Sequence, residues 1–290
     1  MPLGNTALMV VSIDAARDFV MGQARLLDRR RFTFLTEGRG ADDTRSALLA
    51  YRNDDAGFGS ALEPDMRGWS SQPIGAQIAL EVLLEIGRHD DDVIGSLLSW
   101  CDHHSIDGGL PFVLPTVQEA AAAPWWVATA EPSLNPTAAV VGNARALGAE
   151  HPWLDAAEAF CWLALARDAP GLEGHDALCA AALLEHAAAP PAGLIDRMAD
   201  RVVGSLVALD PASTGYVLSP LQFASTPSSL ARTWFDDDVI EAHLLSWEHQ
   251  QQADGGWPIT WEPPTAGAVN EWRGKRTVDV LRTLRAYGRI

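Results

Sequence analysis

The chain has 290 residues, 48% of them hydrophobic and 20% charged, which supplies a sizeable core and excludes global disorder. A formal net charge of −17 and a pI near 4.7 repel phosphate backbones and anionic bilayers, so nucleic acid and acidic membrane surfaces are excluded as partners. Three cysteines, Cys101, Cys161 and Cys179, form no disulfide framework and fit a reducing compartment.

The N-terminus, Met1-Pro-Leu-Gly-Asn5, lacks a basic stretch followed by an apolar one, and no apolar run approaches the roughly 20 residues that span a bilayer. A soluble, cytoplasmic protein is expected. Ser46–Tyr51 reads as helix and runs into an acidic-glycine turn at 54–59. Glu63-Pro64-Asp65 then sets two carboxylates in a stiff loop. Ser71-Gln72-Pro73 opens the next predicted helix, with Ile74, Ile78 and Val82 along one face and Gly87 as its stop. This helix is apolar nearly all round; Gln77, Glu81 and Glu85 form its one polar stripe, so it should be buried on most faces.

Val93–His104 is helical in pattern and leads to the turn at 105–112. A Pro-rich connection, Pro111 to Pro132, carries Trp125 and Trp126. Asn135-Pro136 opens a small-residue helix that Gly148 closes, and Ala177–Ala182 is similarly small, so neighbouring helices can approach closely there. Asp236–Asp238 begins the helical stretch Val239–Gln251, where acids offset the helix dipole. The turn at 251–257 follows, and a last helix is predicted from about Lys275 to Tyr287, with Gly288 as stop. No strand series with period-two alternation is present.

The three turns are alike. Asp54-Asp-Ala-Gly-Phe58, Asp107-Gly-Gly-Leu110 and Asp254-Gly-Gly-Trp257 each join a helix to a large apolar residue. Asp55 and Asp107 are 52 residues apart, and Asp107 and Asp254 are 147, close to three periods of 49. A period in this range marks stacked helical hairpins. Two degenerate copies are expected near residues 156 and 205, with His151-Pro-Trp153 and Leu209-Asp210-Pro211 as their turns.

Gln251-Gln-Ala-Asp-Gly255-Gly-Trp257 matches Gln-x-x-x-Gly-x-Trp, the core of the QW repeat. The chain therefore resembles the terpenoid cyclase and protein prenyltransferase superfamily, squalene–hopene cyclases among them. The resemblance implies an all-α protein, a single α/α toroid over 1–290 of five to six hairpins. Outer helices would run into each turn and inner helices out of it, around an apolar cavity holding a hydrophobic small molecule. Converging N-terminal ends of the inner helices would favour an anion at one rim. Glu63, Asp65, Arg67, Gln72, Asn135, Trp261, Glu262, Trp272 and Arg273 are expected there.

Within this frame Glu63 or Asp65 is the candidate acid or base, since paired carboxylates can split into a raised-pKa acid and a charged partner. Trp69, Trp125, Trp126, Trp261 and Trp272 are candidate pocket walls, and Gln72 and Asn135 candidate polar contacts. Arg273 is the candidate anion clamp, while Lys275 and Arg276 read as surface. The chain departs from the family pattern at Ser133-Leu-Asn135-Pro-Thr-Ala138, where protonating cyclases carry Asp-x-Asp-Asp-Thr-Ala; Asn135 stands in place of the proton-donating aspartate. The prenyltransferase zinc set is not found; Cys101-Asp-His-His104 and the i, i+4 pair His175 and Cys179 are poor substitutes, and no resident metal is expected. Magnesium enters only if the substrate is a diphosphate. An (α/α)6 carbohydrate-active enzyme, pairing Glu63 or Asp65 with Glu262, is a second reading. A non-catalytic binding shell is the third. The oligomeric state is left open.

Overall fold

The computed structural model describes residues 11–168, 171–187 and 189–290. Met1–Asn5, read above for a leader, lies outside them. The described residues are helical, with isolated β-bridges only. In chain order the α-helices are α1 (Ile13–Gln23), α2 (Leu26–Glu37), α3 (Ala41–Leu49), α4 (Pro73–Glu85), α5 (Asp91–His104) and α6 (Leu134–Ala146). They continue with α7 (Pro152–Asp168), α8 (Gly174–His186), α9 (Leu194–Arg201), α10 (Pro220–Phe223), α11 (Asp237–His249) and α12 (Ala266–Ala286).

Local chemistry sets these boundaries. The Ser12 hydroxyl accepts the Ala15 amide at 3.2 Å and starts α1; Thr265 accepts that of Ala268 at 3.2 Å and starts α12. Pro73 occupies the first turn of α4. Gly87, Gly148 and Gly288 follow their helices at φ of +63°, +70° and +69°, the left-handed stop that glycine adopts without strain. The last helix starts at Ala266, well before the expected Lys275, because the Thr265 cap lies upstream of the apolar periodicity that marks its C-terminal half.

Packing follows a regular order. Along the even-numbered helices, α4 packs on α6, α6 on α8, α8 on α10, and α12 on α2. The odd helices back them: α3 against α2 and α4, α5 against α4 and α7, α7 against α6, and α11 against α10 and α12. The α6–α8 contact is the closest approach predicted from small residues: a Cβ on Gly142 would lie 2.4 Å from the Ala182 carbonyl oxygen. The two ends of the chain meet. Gln251 exchanges both amide groups with the backbone of Ser12 at 2.8 Å, and α1 packs on α12.

The first and third turns share one backbone form, closed by bonds from Asn53 to Gly57 and from Gln252 to Gly256, each at 2.9 Å; the second is tighter, with Ile106 and Gly109 bonded to each other and Asp107 also at positive φ, 50°. Ala56, Gly108 and Gly255 occupy the same place, each with positive φ, at 71°, 87° and 92°. Gly57, Gly109 and Gly256, next in sequence, press on Trp100 of α5, Phe160 of α7 and Phe19 of α1, where a Cβ would come within 2.7 Å of each ring. Of the two degenerate copies, Leu209–Pro211 lies in the connection from α9 to α10 as expected, with Asp210 accepting the Ala212 amide at 2.9 Å. His151-Pro-Trp153 instead opens α7; Pro152 is a first-turn residue and cannot serve as the turn that leaves that helix.

Candidate functional site

A cavity of about 580 Å³ lies among the even-numbered helices, each of which contributes to its wall. Its lining is charged, unlike the apolar wall that the resemblance implied. Arg25, Arg31, Lys275, Arg276 and Arg282 face Asp28, Glu81, Glu85, Glu185 and Asp279. The polar stripe of α4 explains part of this, since Gln77, Glu81 and Glu85 all line the cavity. A helix buried on every other face turns its only polar edge inward because that is where water or a ligand can reach it.

One network organises the wall. The Arg31 guanidinium reaches Glu85 at 2.6 Å, Asp279 at 2.7 Å and Asp28 at 3.2 Å, joining α2, α4 and α12. Arg25 pairs with Asp28 at 2.9 Å, Lys275 with Asp279 at 2.6 Å and Arg282 with Glu85 at 3.0 Å. Burial alone would raise the Asp279 pKa, but Lys275, Arg31 and Arg282 hold it well below the usual carboxylate range.

Glu63 and Asp65 are buried together in the loop that precedes α4. Arg25 donates to the Leu62 carbonyl at 2.8 Å, and Arg67 forms a bidentate pair with Glu271, so the loop is tied to the start of α2 and to α12. Burial, then the neighbouring Asp65 carboxyl, pushes Glu63 up to about 7 against the pull of the Asp65 amide, Lys275 and Arg25. Burial raises Asp65 too, while the indole N–H groups of Trp272 and Trp261, and Arg67, pull it back. Even so, Asp65 Oδ1 and both indole Nε1 atoms are buried without closing a hydrogen bond of ordinary geometry. The rings extend the site: Trp261 stands edge-on to Trp272 at 5.0 Å and to Tyr216 at 5.9 Å. The Tyr216 hydroxyl is 2.6 Å from His175 Nε2.

Glu63, Asp65, Trp261 and Trp272 thus lie together in one cluster. The other candidates fall elsewhere. Glu262 is exposed while the two acids are buried. Trp69 and Trp125 are 71% and 45% exposed. Trp126 stacks on Phe112 at 4.9 Å. Both ends of the buried Gln72 amide are used: its Nε2 donates to Thr116 and its Oε1 accepts the Leu114 amide, each at 2.9 Å, bracing a loop. Asn135 has extended backbone angles at the start of α6, and its side-chain oxygen accepts from the Cys179 thiol at 3.6 Å.

Arg273 is not an anion clamp. It lies inside α12, and its guanidinium donates to Asp254 twice at 2.8 Å and to Gln252 at 2.7 Å, with the Trp257 carbonyl at 3.3 Å. Those bonds brace the third turn. Lys275 and Arg276, read as surface, line the cavity instead. Sequence reasoning also missed Asp28, Arg31 and Tyr216. The first two had a signal: Asp28–Arg31, Lys275–Asp279 and Asp279–Arg282 repeat opposite charges at i, i+3 and i, i+4 along their helices.

Among the described residues no group of three or more His, Cys, Asp and Glu side chains is placed to hold a metal ion. No helix among the described residues is long and apolar enough to cross a membrane.

No family model and no curated protein matches the chain. A solved structure, the crystal structure of a protein from Actinoplanes, is similar to it with a TM-score of 0.57 and 17% identity, over 95% of this chain and 89% of that one. That likeness bears on the fold alone.

Proposed function

We propose that the twelve α-helices of the described residues close into an α/α toroid of six hairpins, and that the protein is an enzyme that protonates a small molecule held inside it. The ring order of the even-numbered helices and the meeting of α1 with α12 support the toroid. Glu63 is the acid, and Asp65 the carboxylate that stabilises the positive charge developing on the protonated substrate. The observation that carries this reading is the buried pair itself: two carboxyls in one loop, with an acid that titrates near neutrality beside an Asp65 carboxyl that the Trp261 and Trp272 indole N–H groups favour in its charged form. The indole and phenol rings of Trp261, Trp272 and Tyr216 supply π faces for a developing cation.

The substrate that fits both regions is amphipathic. An isoprenoid with a polar head would set its apolar part against the rings and its head in the charged cavity; a neutral polyprene would leave that charge without a partner. Incubation with prenyl diphosphates, prenyl alcohols, neutral polyprenes and oligosaccharides, followed by product analysis, tests this. Product formation from an amphipathic isoprenoid that is lost in Glu63→Gln and kept in Glu262→Gln is the expected result. Binding without product would favour the non-catalytic shell, and turnover of a glycan would favour the carbohydrate reading.

A further inference from the structure

Five cationic side chains line the cavity, and four of them are paired with carboxylates of the same wall. Arg276 is the fifth. Among the described residues no carboxylate lies within ion-pair distance of it and no acceptor takes any of its donors; its guanidinium rests on the face of Trp247, 4.3 Å from the ring centroid. Burial lowers its pKa to about 10, with Asp279 opposing, so the group is still charged at neutrality. Asp279 is already shared by Lys275 and Arg31 and forms no ion pair with it.

The wall carries five cations and five carboxylates, unevenly placed: all five cations lie on α2 and α12 or at the start of α2, where the only acids of the lining are Asp28 and Asp279, while Glu85 reaches in from α4. The two remaining acids are engaged by neutral groups: Glu81 accepts from the Gln77 amide at 2.7 Å and Glu185 from the Leu230 amide at 2.6 Å. Leaving a guanidinium half-buried and unpaired is costly, and a ring face offsets only part of that cost. Hydroxyls of Thr226 and Ser229 line the same cavity and can donate to an anion.

We infer that the cavity binds a small organic anion, a carboxylate or phosphate ester, with Arg276 as its counter-ion. This deepens the reading above by assigning the polar head of the substrate. It rests on that reading for the identity of the guest as substrate, and on the cavity alone for binding. Planar guanidinium geometry suits two parallel hydrogen bonds to either oxyanion.

Calorimetric titration of the full chain with succinate, inorganic phosphate and pyrophosphate tests it. Saturable binding of at least one probe is expected, weakened ten-fold or more in Arg276→Gln and by a smaller factor in Arg276→Lys. If the Gln variant fails to fold, weaker binding in the Lys variant supports the assignment and unchanged binding overturns it. Glu63→Gln should bind the same probe as tightly as the parent, so a failed proton-transfer mechanism and a failed anion site give different results. The preferred probe separates the carboxylate from the phosphate class. No saturable binding of any probe, or equal affinity in Arg276→Gln, would overturn the inference.

Discussion

The backbone amide of Asp65 donates to the Glu63 carboxyl at 3.2 Å across a single proline, so the two acids are held as one buried pair. Glu63 titrates at about 4.5 when unfolded and about 7 in the fold. Between those values the folded protein carries the extra proton. Its contribution to stability is therefore fully present below about pH 4.5 and lost as pH rises through about 7. The loss amounts to about 3 kcal/mol at most, at 1.36 kcal/mol per pKa unit. Glu63→Gln should unfold with a flatter dependence across this window and should gain on the parent at pH 8. Urea denaturation from pH 4.5 to 8 measures it, and parallel profiles would show that Glu63 does not titrate there.

Arg31 presents the opposite case, a buried cation shared by three acids. Replacing it with Met leaves Asp28, Glu85 and Asp279 with Arg25, Arg282 and Lys275 alone. Removing one member of a buried ionic cluster costs about 3–5 kcal/mol. Because Asp279 is held far below its ordinary value, this stabilisation is present at neutral pH and is lost as pH falls below the unfolded carboxylate range. Arg31→Met should lower stability at pH 7 and narrow the gap to the parent at pH 3. A gap that stays constant would place the cost in packing instead.

The spacing of the turns made the hairpin architecture legible, because an acidic-glycine turn is a local event encoded by adjacent residues. Gln251 and Trp257 pointed to the third turn, and its geometry agrees: the Gln251 amide donates to the Gly255 carbonyl at 3.0 Å and the Trp257 indole to the Trp247 carbonyl at 2.6 Å. Glu63, Asp65, Trp261 and Trp272 were readable as a set only through the repeat register, which assigned both loops to one end of the inner helices. The partnership of Arg31 with Glu85 and Asp279 was not readable, since it joins positions 54 and 248 residues away. Arg273 misled because the Thr265 cap, which puts it inside α12, lies in a Pro-rich stretch without apolar periodicity.

Turn geometry makes Gly255 and Ala56 a matched test. Both have positive φ, yet a Cβ at Gly255 would sit 2.0 Å from the Ala15 carbonyl oxygen. Gly255→Ala adds left-handed strain of about 1–2 kcal/mol to a backbone clash, and it should unlock the contact between the third turn and α1. Ala56→Gly removes the same strain where no clash exists and should stabilise by about 0.5 kcal/mol after the added freedom of the unfolded chain is counted. Thermal melts of the two variants should shift in opposite directions. A loss in Ala56→Gly would mean that the side chain, not the φ angle, dominates the first turn.

The last prediction concerns the threonines that join turn to helix. Thr137 of α6 accepts the Leu110 amide at 2.8 Å, and Thr277 of α12 accepts the Trp257 amide at 3.1 Å. Both hydroxyls are buried with the amides they serve, so no water replaces them. A valine of the same shape at either site leaves a buried N–H unpaired, at about 1–3 kcal/mol. Thr277→Val and Thr137→Val should each lose that amount in urea titrations, whereas the serine variants keep the bond and lose only a methyl contact. If serine and valine cost the same at both positions, the shared hydrogen bond does not hold the turns, and the two repeats agree in shape without agreeing in energetics.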